Sequence, residues 1–212
     1  MELEQSLDTG LTALGLSSMP GQIERLATFL RLLEKWNRVY NLTSIRNLPD
    51  MVAKHVLDSL TALPYLHGIS VLDVGTGAGL PGIPLAIMQP QRRFTLLDSA
   101  GKKIRFVHHA VAELKLENVV TEQQRVEEYS SPEPFDTVIC RAFSELRDFV
   151  LCCGSLAAAG GRLLAMKGRF PEPELAVLPA GWSAVDIEPV RIPGLDVQRH
   201  MLVMERAPAV AD

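Results

Sequence analysis

A chain of 212 residues, 47% hydrophobic and 22% charged, can bury one α/β core with a small extension and is too apolar to be disordered. Its formal net charge of -4 argues against a globally cationic nucleic-acid binder and leaves that role to a local basic patch. There is no apolar run of the roughly eighteen residues a membrane span needs, the acidic start MELEQSLDTG does not resemble a signal peptide, and three cysteines without framework spacing fit a reducing, cytoplasmic compartment.

In chain order, residues 1–66 read as a helical extension. A short helix near the start precedes an amphipathic one over 20–42, where Ile23, Leu26, Leu30, Leu33, Trp36 and Tyr40 recur at three- and four-residue steps. Trp36 and Tyr40 lie on that apolar stripe and read as core, not as a stacking platform. A further helix over about 50–63 carries Met51, Val52, His55, Val56, Ser59 and Leu63 on one side. The pattern then changes, and residues 67–212 read as a separate domain. Strand-like runs fall at 69–74, 93–98, 118–122, 135–140, 161–167, 182–190 and 197–205, with helices expected between the first five. Alternation of this kind predicts parallel strands joined by crossover helices. Only the Pro193-Gly194 turn region separates the last two runs, which predicts an antiparallel pair at one edge.

The run VLDVGTGAGLPGIPLAI places a strand, a glycine turn and a helix start in succession. Two registers overlap in it: Gly75-x-Gly77-x-Gly79, and Gly77-x-Gly79-x-x-Gly82, a literal dinucleotide fingerprint. Such glycines let the backbone approach a ligand, and the helix start offers free N–H groups and positive potential. Pro81 fits the first helical turn, where no N–H is missed. Asp98 closes the next apolar strand, about twenty residues past the glycines, where a carboxylate can accept ribose hydroxyls. Asp73 puts a second carboxylate against the loop. It would repel a pyrophosphate and attract the ammonium and sulfonium groups of S-adenosylmethionine. With no second domain for a dehydrogenase substrate, these features favour S-adenosylmethionine. A nicotinamide-dependent oxidoreductase using the second glycine register stays as the alternative.

The ordered set NLTSIR, DVGTGAGLPGIPL, LLDSAGKKIRF, RVEEY, FDTVICRAF, MKG and RHMLVM resembles the glucose-inhibited division protein B family, the bacterial small-subunit ribosomal RNA methyltransferases of type G. The resemblance runs from about Asn41 to Met204. It implies a Rossmann-like class I S-adenosylmethionine-dependent methyltransferase fold: a seven-stranded, mostly parallel sheet with an antiparallel edge strand behind the helical extension. It also implies methylation of N7 of a guanine in the decoding-region loop of 16S rRNA, presented as RNA, small subunit or assembly intermediate. A non-catalytic ribosome-assembly module that keeps the pocket as scaffold stays in view. By resemblance, Gly75 and Leu80 belong to the cofactor loop, Val126 and Glu127 to the turn beside the adenine, and Arg141 to the position after the fourth strand. All fall at carboxyl ends of expected parallel strands, where open α/β sheets bind ligands, and Gly77 and Asp98 join them on independent grounds. His55 and Asp58 fall in a motif between extension and domain. A buried, hydrogen-bonded His55 that fixes the extension is the expected role.

Guanine N7 carries a lone pair and no proton, so its attack on a sulfonium methyl needs no general base. Alignment alone supplies up to roughly 7–11 kcal/mol in favourable cases, and no acid/base dyad is expected. After the fourth strand stands Cys140-Arg141-Ala142-Phe143, without the Asp/Asn-Pro-Pro-aromatic pattern of exocyclic-amine methyltransferases. Cys140 reads as a core thiol. Arg141 is the candidate catalytic residue through positioning, with two roles open: the methionine carboxylate, or a phosphate or guanine edge. Lys102, Lys103 and Arg105 open the helix after Asp98. Together with Arg125, Lys167 and Arg199 they are candidates for an RNA-binding rim. Phe143 either stacks on the guanine or packs in the core. No Cys/His cluster has zinc-like spacing, so no metal is expected, and a monomer is the default.

Overall fold

The computed structural model describes residues 1–141, 143 and 145–207; Ala142, Ser144 and residues 208–212 of the expected domain lie outside them. Helices α1 (Glu2–Ala13) and α2 (Gln22–Tyr40) open the chain. A helical segment follows, made of α3 (Leu48–Met51), wide π-type turns over Val52–Leu57, and α4 (Asp58–Leu60). Beyond it come the strands β1 (Ser70–Val74), β2 (Arg93–Leu97), β3 (Val119–Glu122), β4 (Phe135–Arg141), β5 (Ala157–Lys167), β6 (Trp182–Pro189) and β7 (His200–Arg206). Between them lie α5 (Gly82–Met88), α6 (Gly101–Glu113), α7 (Leu146–Cys153) and α8 (Glu172–Leu175). No helix among the described residues is long and apolar enough to cross a membrane.

The strands form one seven-stranded sheet in the order β3-β2-β1-β4-β5-β7-β6. β1 to β5 are parallel, and β7 runs against both of its neighbours. The turn around Gly194 thus joins the antiparallel pair expected at one edge. Val71, Leu72 and Val74 of β1 are all buried because a central parallel strand is covered on both faces, which erases the alternation of an exposed strand. The expectation of a helix in every early crossover is corrected between β3 and β4. That connection holds a single 3-10 turn, Val126–Glu128, and then Pro132 and Pro134, which cannot donate to a helical ladder.

One hydrophobic core runs from the N-terminal helices into the sheet. Leu7, Leu30, Leu33 and Phe29 belong to the same cluster as Ile83 of α5, Phe106 of α6 and Leu96 of β2. The other face packs Leu72, Val138 and Leu163 against Phe149 of α7. α2 ends at Asn41 with φ 49°, a left-handed conformation that asparagine tolerates. The chain then turns into a loop fixed by the buried Asn37. Its side chain donates to Ile45 O at 2.9 Å and accepts from Thr43 N at 2.9 Å. This loop reaches the carboxyl edge of the sheet.

Candidate active site

The carboxyl ends of β1, β2 and β4 lie side by side, with Val74 in register with Leu97 and with Cys140. The glycine turn starts there. The amides of Gly75 and Thr76 both donate to Leu97 O, at 2.8 and 3.0 Å. Asp73 is turned into the core and braces the turn from beneath. Its Oδ2 accepts from the Thr76 hydroxyl at 2.6 Å and from the Gly82 amide at 2.8 Å. Burial pushes its pKa up to about 6, against the pull of those two donors. The carboxylate is thus aimed into the loop, where its place in the sequence puts it, and with 0% exposure it acts on the site by shaping that loop. Gly82 lets α5 start close against the strands, since a Cβ there would meet Leu96 Cδ2 at 2.1 Å and Asp73 Oδ2 at 2.7 Å.

Asp98 is 8% exposed and oriented by two backbone donors, Gly77 N to Oδ2 and Ala100 N to Oδ1, both at 2.8 Å. Lys103 Nζ stands 3.8 Å away. Asp98 lines a crevice of about 180 Å³ together with Gly75, Arg125, Val126, Glu127 and Phe143. A Cβ on Gly75 would meet nothing within 4 Å, so the turn leaves open space facing the crevice. Each Asp98 oxygen keeps acceptor capacity beyond its one amide. Open backbone, an oriented carboxylate and the apolar Val126 and Phe143 suit the adenosine part of a cofactor.

A second cavity of about 490 Å³ opens at the carboxyl ends of β4 and β5. Its walls are the loop 43–45, the π-turn segment, Arg141, the end of β5 and Arg199. At its base lies Asp58, whose side chain is 5% exposed. Asp58 Oδ2 accepts from Arg141 Nη1 at 3.2 Å, and Oδ1 accepts from Arg199 Nε at 3.0 Å. His55 sits one turn earlier. Its Nδ1 lies 3.1 Å from Lys54 O and its Nε2 lies 2.9 Å from Thr43 Oγ1. A carbonyl only accepts, so Nδ1 carries the proton and Nε2 takes the Thr43 hydroxyl hydrogen. That leaves Thr43 Oγ1 to accept from Ile45 N at 3.2 Å. Burial, and next the Arg141 charge, hold the His55 pKa down to about 4, so the ring is neutral at pH 7.

The crevice thus gathers Gly75, Asp98, Val126, Glu127 and Arg125. Gly77 stands behind them, its amide on Asp98. Leu80 is buried in the core and donates its amide to Thr76 O at 2.8 Å, so its side chain lines neither cavity. Arg141, Lys167 and Arg199 line the larger cavity, and Arg141 directly follows Cys140, whose partner in β1 is Val74 on the wall of the crevice. Lys167 is committed elsewhere. It pairs with Glu174 at 2.8 Å and donates to Phe143 O at 3.3 Å, stapling β5 to the segment before α7. Lys102 and Arg105 are exposed on α6 and line neither cavity. Phe143 packs on Phe149, centroids 5.3 Å apart, and walls the crevice. Cys140 is buried and its pKa is raised by that burial, as befits a core thiol. No residue pattern marks residues 43–45 as a cavity wall, and the bridging role of Asp58 shows in the sequence only as its three-residue spacing from His55.

A sequence model described as rRNA small subunit methyltransferase G matches residues 22–202. Similar proteins carry the name ribosomal RNA small subunit methyltransferase G. One from Methylococcus capsulatus is 53% identical, over 92% of this chain and 95% of its own length. Another from Alkalilimnicola ehrlichii is 50% identical, over 97% and 93%. Among solved structures, a SAM-dependent methyltransferase from Aquifex aeolicus superposes with a TM-score of 0.56 at 21% identity, covering 74% of this chain and 93% of that one. The DhpI–SAH complex gives 0.58 at 17%, covering 90% and 100%. At such identities the structures share the fold, the seven-stranded class I methyltransferase sheet.

Proposed function

The chain belongs to the rRNA small subunit methyltransferase G family, and from that premise we propose that it moves the methyl group of S-adenosylmethionine to N7 of a guanine in 16S rRNA. One observation supports this reading above the others. A crevice lined by Gly75, Asp98, Val126 and Phe143 lies at the same carboxyl edge of the sheet as a cationic cavity whose ionisable acceptors are already engaged: Asp58 by two arginines, neutral His55 by Thr43. Guanine N7 suits such a site, since it has a lone pair to offer and no proton to lose.

S-adenosylmethionine supplies an electrophilic methyl on sulfur. The protein's part is alignment. In this reading the backbone at Gly75 and Gly77 makes room for the cofactor, with Leu80 holding the turn. Asp98 takes ribose hydroxyls, Val126 and Glu127 border the adenine, and Arg141 positions the substrate. Arg199 and Arg125 are the RNA contacts closest to the two cavities; Lys102 is a contact on the outer face of α6, and Lys167 acts through the wall it staples. We take residues 1–66 as an extension completing the site of the domain 67–212, and the protein as a cytoplasmic monomer acting on 16S rRNA, the small subunit or its precursor.

The test is reaction of the purified protein with methyl-labelled donor and either 16S rRNA or small subunits from an unmethylated strain, followed by mapping of the labelled nucleotide. One 7-methylguanosine is expected. Label on an exocyclic nitrogen would refute the acceptor, and no transfer to either substrate would leave the assembly-module reading.

A further inference from the structure

We propose that Tyr40, backed by Trp36, is a stacking platform for one base of the RNA strand flanking the target guanosine, with Lys102 and Arg105 on the adjoining face of α6 holding that strand by its phosphates. The inference rests on the function proposed above and deepens it with an RNA contact outside the two cavities. The apolar period of α2 assigns both aromatic residues to the core. Trp36 follows that pattern. Its indole is half-buried against Phe106 and His109 of α6, with ring centroids 5.7 and 5.2 Å away. Tyr40 departs from it. Its ring is 41% exposed and leans on Trp36, with centroids 5.2 Å and planes 32° apart. Neither the Tyr40 hydroxyl nor the indole N–H makes a hydrogen bond among the described residues. A ring already braced by its i,i+4 neighbour loses little further freedom when a ligand covers it.

The surroundings identify the ligand. α2 starts beside the end of α5, where Gln22 Nε2 donates to Ile87 O, and ends in the loop that walls the larger cavity. It therefore runs toward the carboxyl edge of the sheet, while α6 runs away from it. Tyr40, one turn beyond Trp36, thus stands toward the end of α6 that carries Lys102 and Arg105. Those two cations share a helix face with His109, at steps of three and four residues. Both are exposed, and neither makes an ion pair or hydrogen bond among the described residues. Lys103 between them turns instead to Asp98, at 3.8 Å. No acid occurs in α6 before Glu113. An exposed aromatic beside unbalanced cations matches single-stranded RNA, whose bases offer a π-face and whose backbone offers phosphates. Reach agrees as well. Thr43 lines the larger cavity and lies three residues from Tyr40, at most roughly 10–11 Å of chain. That is about three stacked nucleotides at roughly 3.4 Å each.

The test uses a synthetic stem-loop with the target guanosine, its affinity read by fluorescence anisotropy with S-adenosylhomocysteine present. Each nucleotide within three of the target is made abasic in turn, which removes a base and keeps its phosphate. For the wild-type protein, one abasic position is expected to weaken binding about tenfold, the scale of one base–aromatic stack. Tyr40→Ala should weaken binding of the intact RNA about tenfold, and that abasic position should then cost less than about twofold, because its partner is already gone. Tyr40→Phe keeps the ring and should bind as the wild type does. Affinity for S-adenosylhomocysteine and the melting temperature should be retained in Tyr40→Ala, an RNA-selective loss that a merely structural role would not give. If Tyr40→Ala melts markedly lower, Tyr40→Leu, which keeps apolar bulk without the π-face, takes its place. Lys102→Gln combined with Arg105→Gln should reduce the slope of log affinity against log salt by about 1.4. The platform is overturned if no abasic position matters to the wild-type protein, if the abasic and Tyr40→Ala losses multiply, or if intact RNA binds Tyr40→Ala at full strength, which would hand the face to a protein partner. Failure of the wild-type protein to methylate any 16S-derived RNA is a different result, since it removes the proposed function itself.

Discussion

Asp73 and His55 are buried ionisable groups whose shifts have opposite consequences. His55 titrates near 4 in the fold against an ordinary 6.5. Between those values the unfolded chain holds a proton that the folded one lacks, so stability is lost as pH falls through that window. Asp73 titrates near 6 against an ordinary 3.8, so from 6 down to about 4 the folded chain holds the extra proton and stability is gained as pH falls. Each effect is about 3 kcal/mol at full extent, and over pH 4–6 they largely cancel. Asp73→Asn should therefore lose more stability than the wild-type protein between pH 7 and 4.5, and His55→Gln should lose less or gain. Urea melts at the two pH values check this, and parallel behaviour of all three proteins would disprove the opposition. Asp98 makes a second test. Asp98→Ala removes the carboxylate proposed to hold the ribose and the acceptor that orients the Gly77 amide, and should weaken S-adenosylhomocysteine binding by roughly 1.5–3 kcal/mol in calorimetry. Unchanged affinity would move the ribose elsewhere. Asp98 was legible in the sequence because strand, glycine turn and terminal acid lie within one short βαβ stretch. The bridge at Asp58 was not, because its partners are joined only by the sheet's strand order.

At the scale of elements, the amphipathic period of α2 and the apolar runs of the strands could be read directly, since burial imposes both patterns. The π-type turns over Val52–Leu57 left no such mark: Met51, Val52, His55 and Val56 are buried, as a regular helix would also have them. Yet the wider turns belong to the segment that lines the larger cavity with Lys54, His55 and Asp58, and irregular turns of this kind are frequent at functional sites. The start of α5 gives a sharper consequence. Gly82 has no room for a methyl group between Leu96 and the carboxylate that braces the cofactor turn. Gly82→Ala should cost about 1–3 kcal/mol of overpacking, which lowers the melting temperature by roughly 2–4 °C for each kcal/mol in a chain of this size. Because the displaced group is Asp73, cofactor affinity should fall with stability. Thermal melts with and without S-adenosylhomocysteine measure both, and an unaltered ligand-induced shift would separate the brace from the crevice.

For the whole molecule, the helical extension and the sheet share one apolar core, with Leu30 and Phe29 in the same cluster as Ile83 and Phe106. A fragment beginning at residue 67 would expose that face and lose Asp58. It should bind hydrophobic dye and melt without a cooperative transition, whereas a sharp melt would show that the sheet is self-sufficient. Charge is distributed with the same economy. The chain is acidic overall at -4, while the larger cavity keeps a local cationic excess. Long-range attraction for RNA is therefore weak, and affinity must come from close contacts. Engagement of about three phosphates, by Arg199, Lys102 and Arg105, gives a slope of log affinity against log salt near -2.1, using the single-strand coefficient of about 0.7 per phosphate. A generally cationic binder would show a far steeper slope. Arg199→Gln should reduce the slope by about 0.7 for the cognate stem-loop and leave the weak binding of an unrelated RNA unchanged. An equal reduction for both RNAs would make Arg199 a general electrostatic contact and return the discrimination to the guanine pocket.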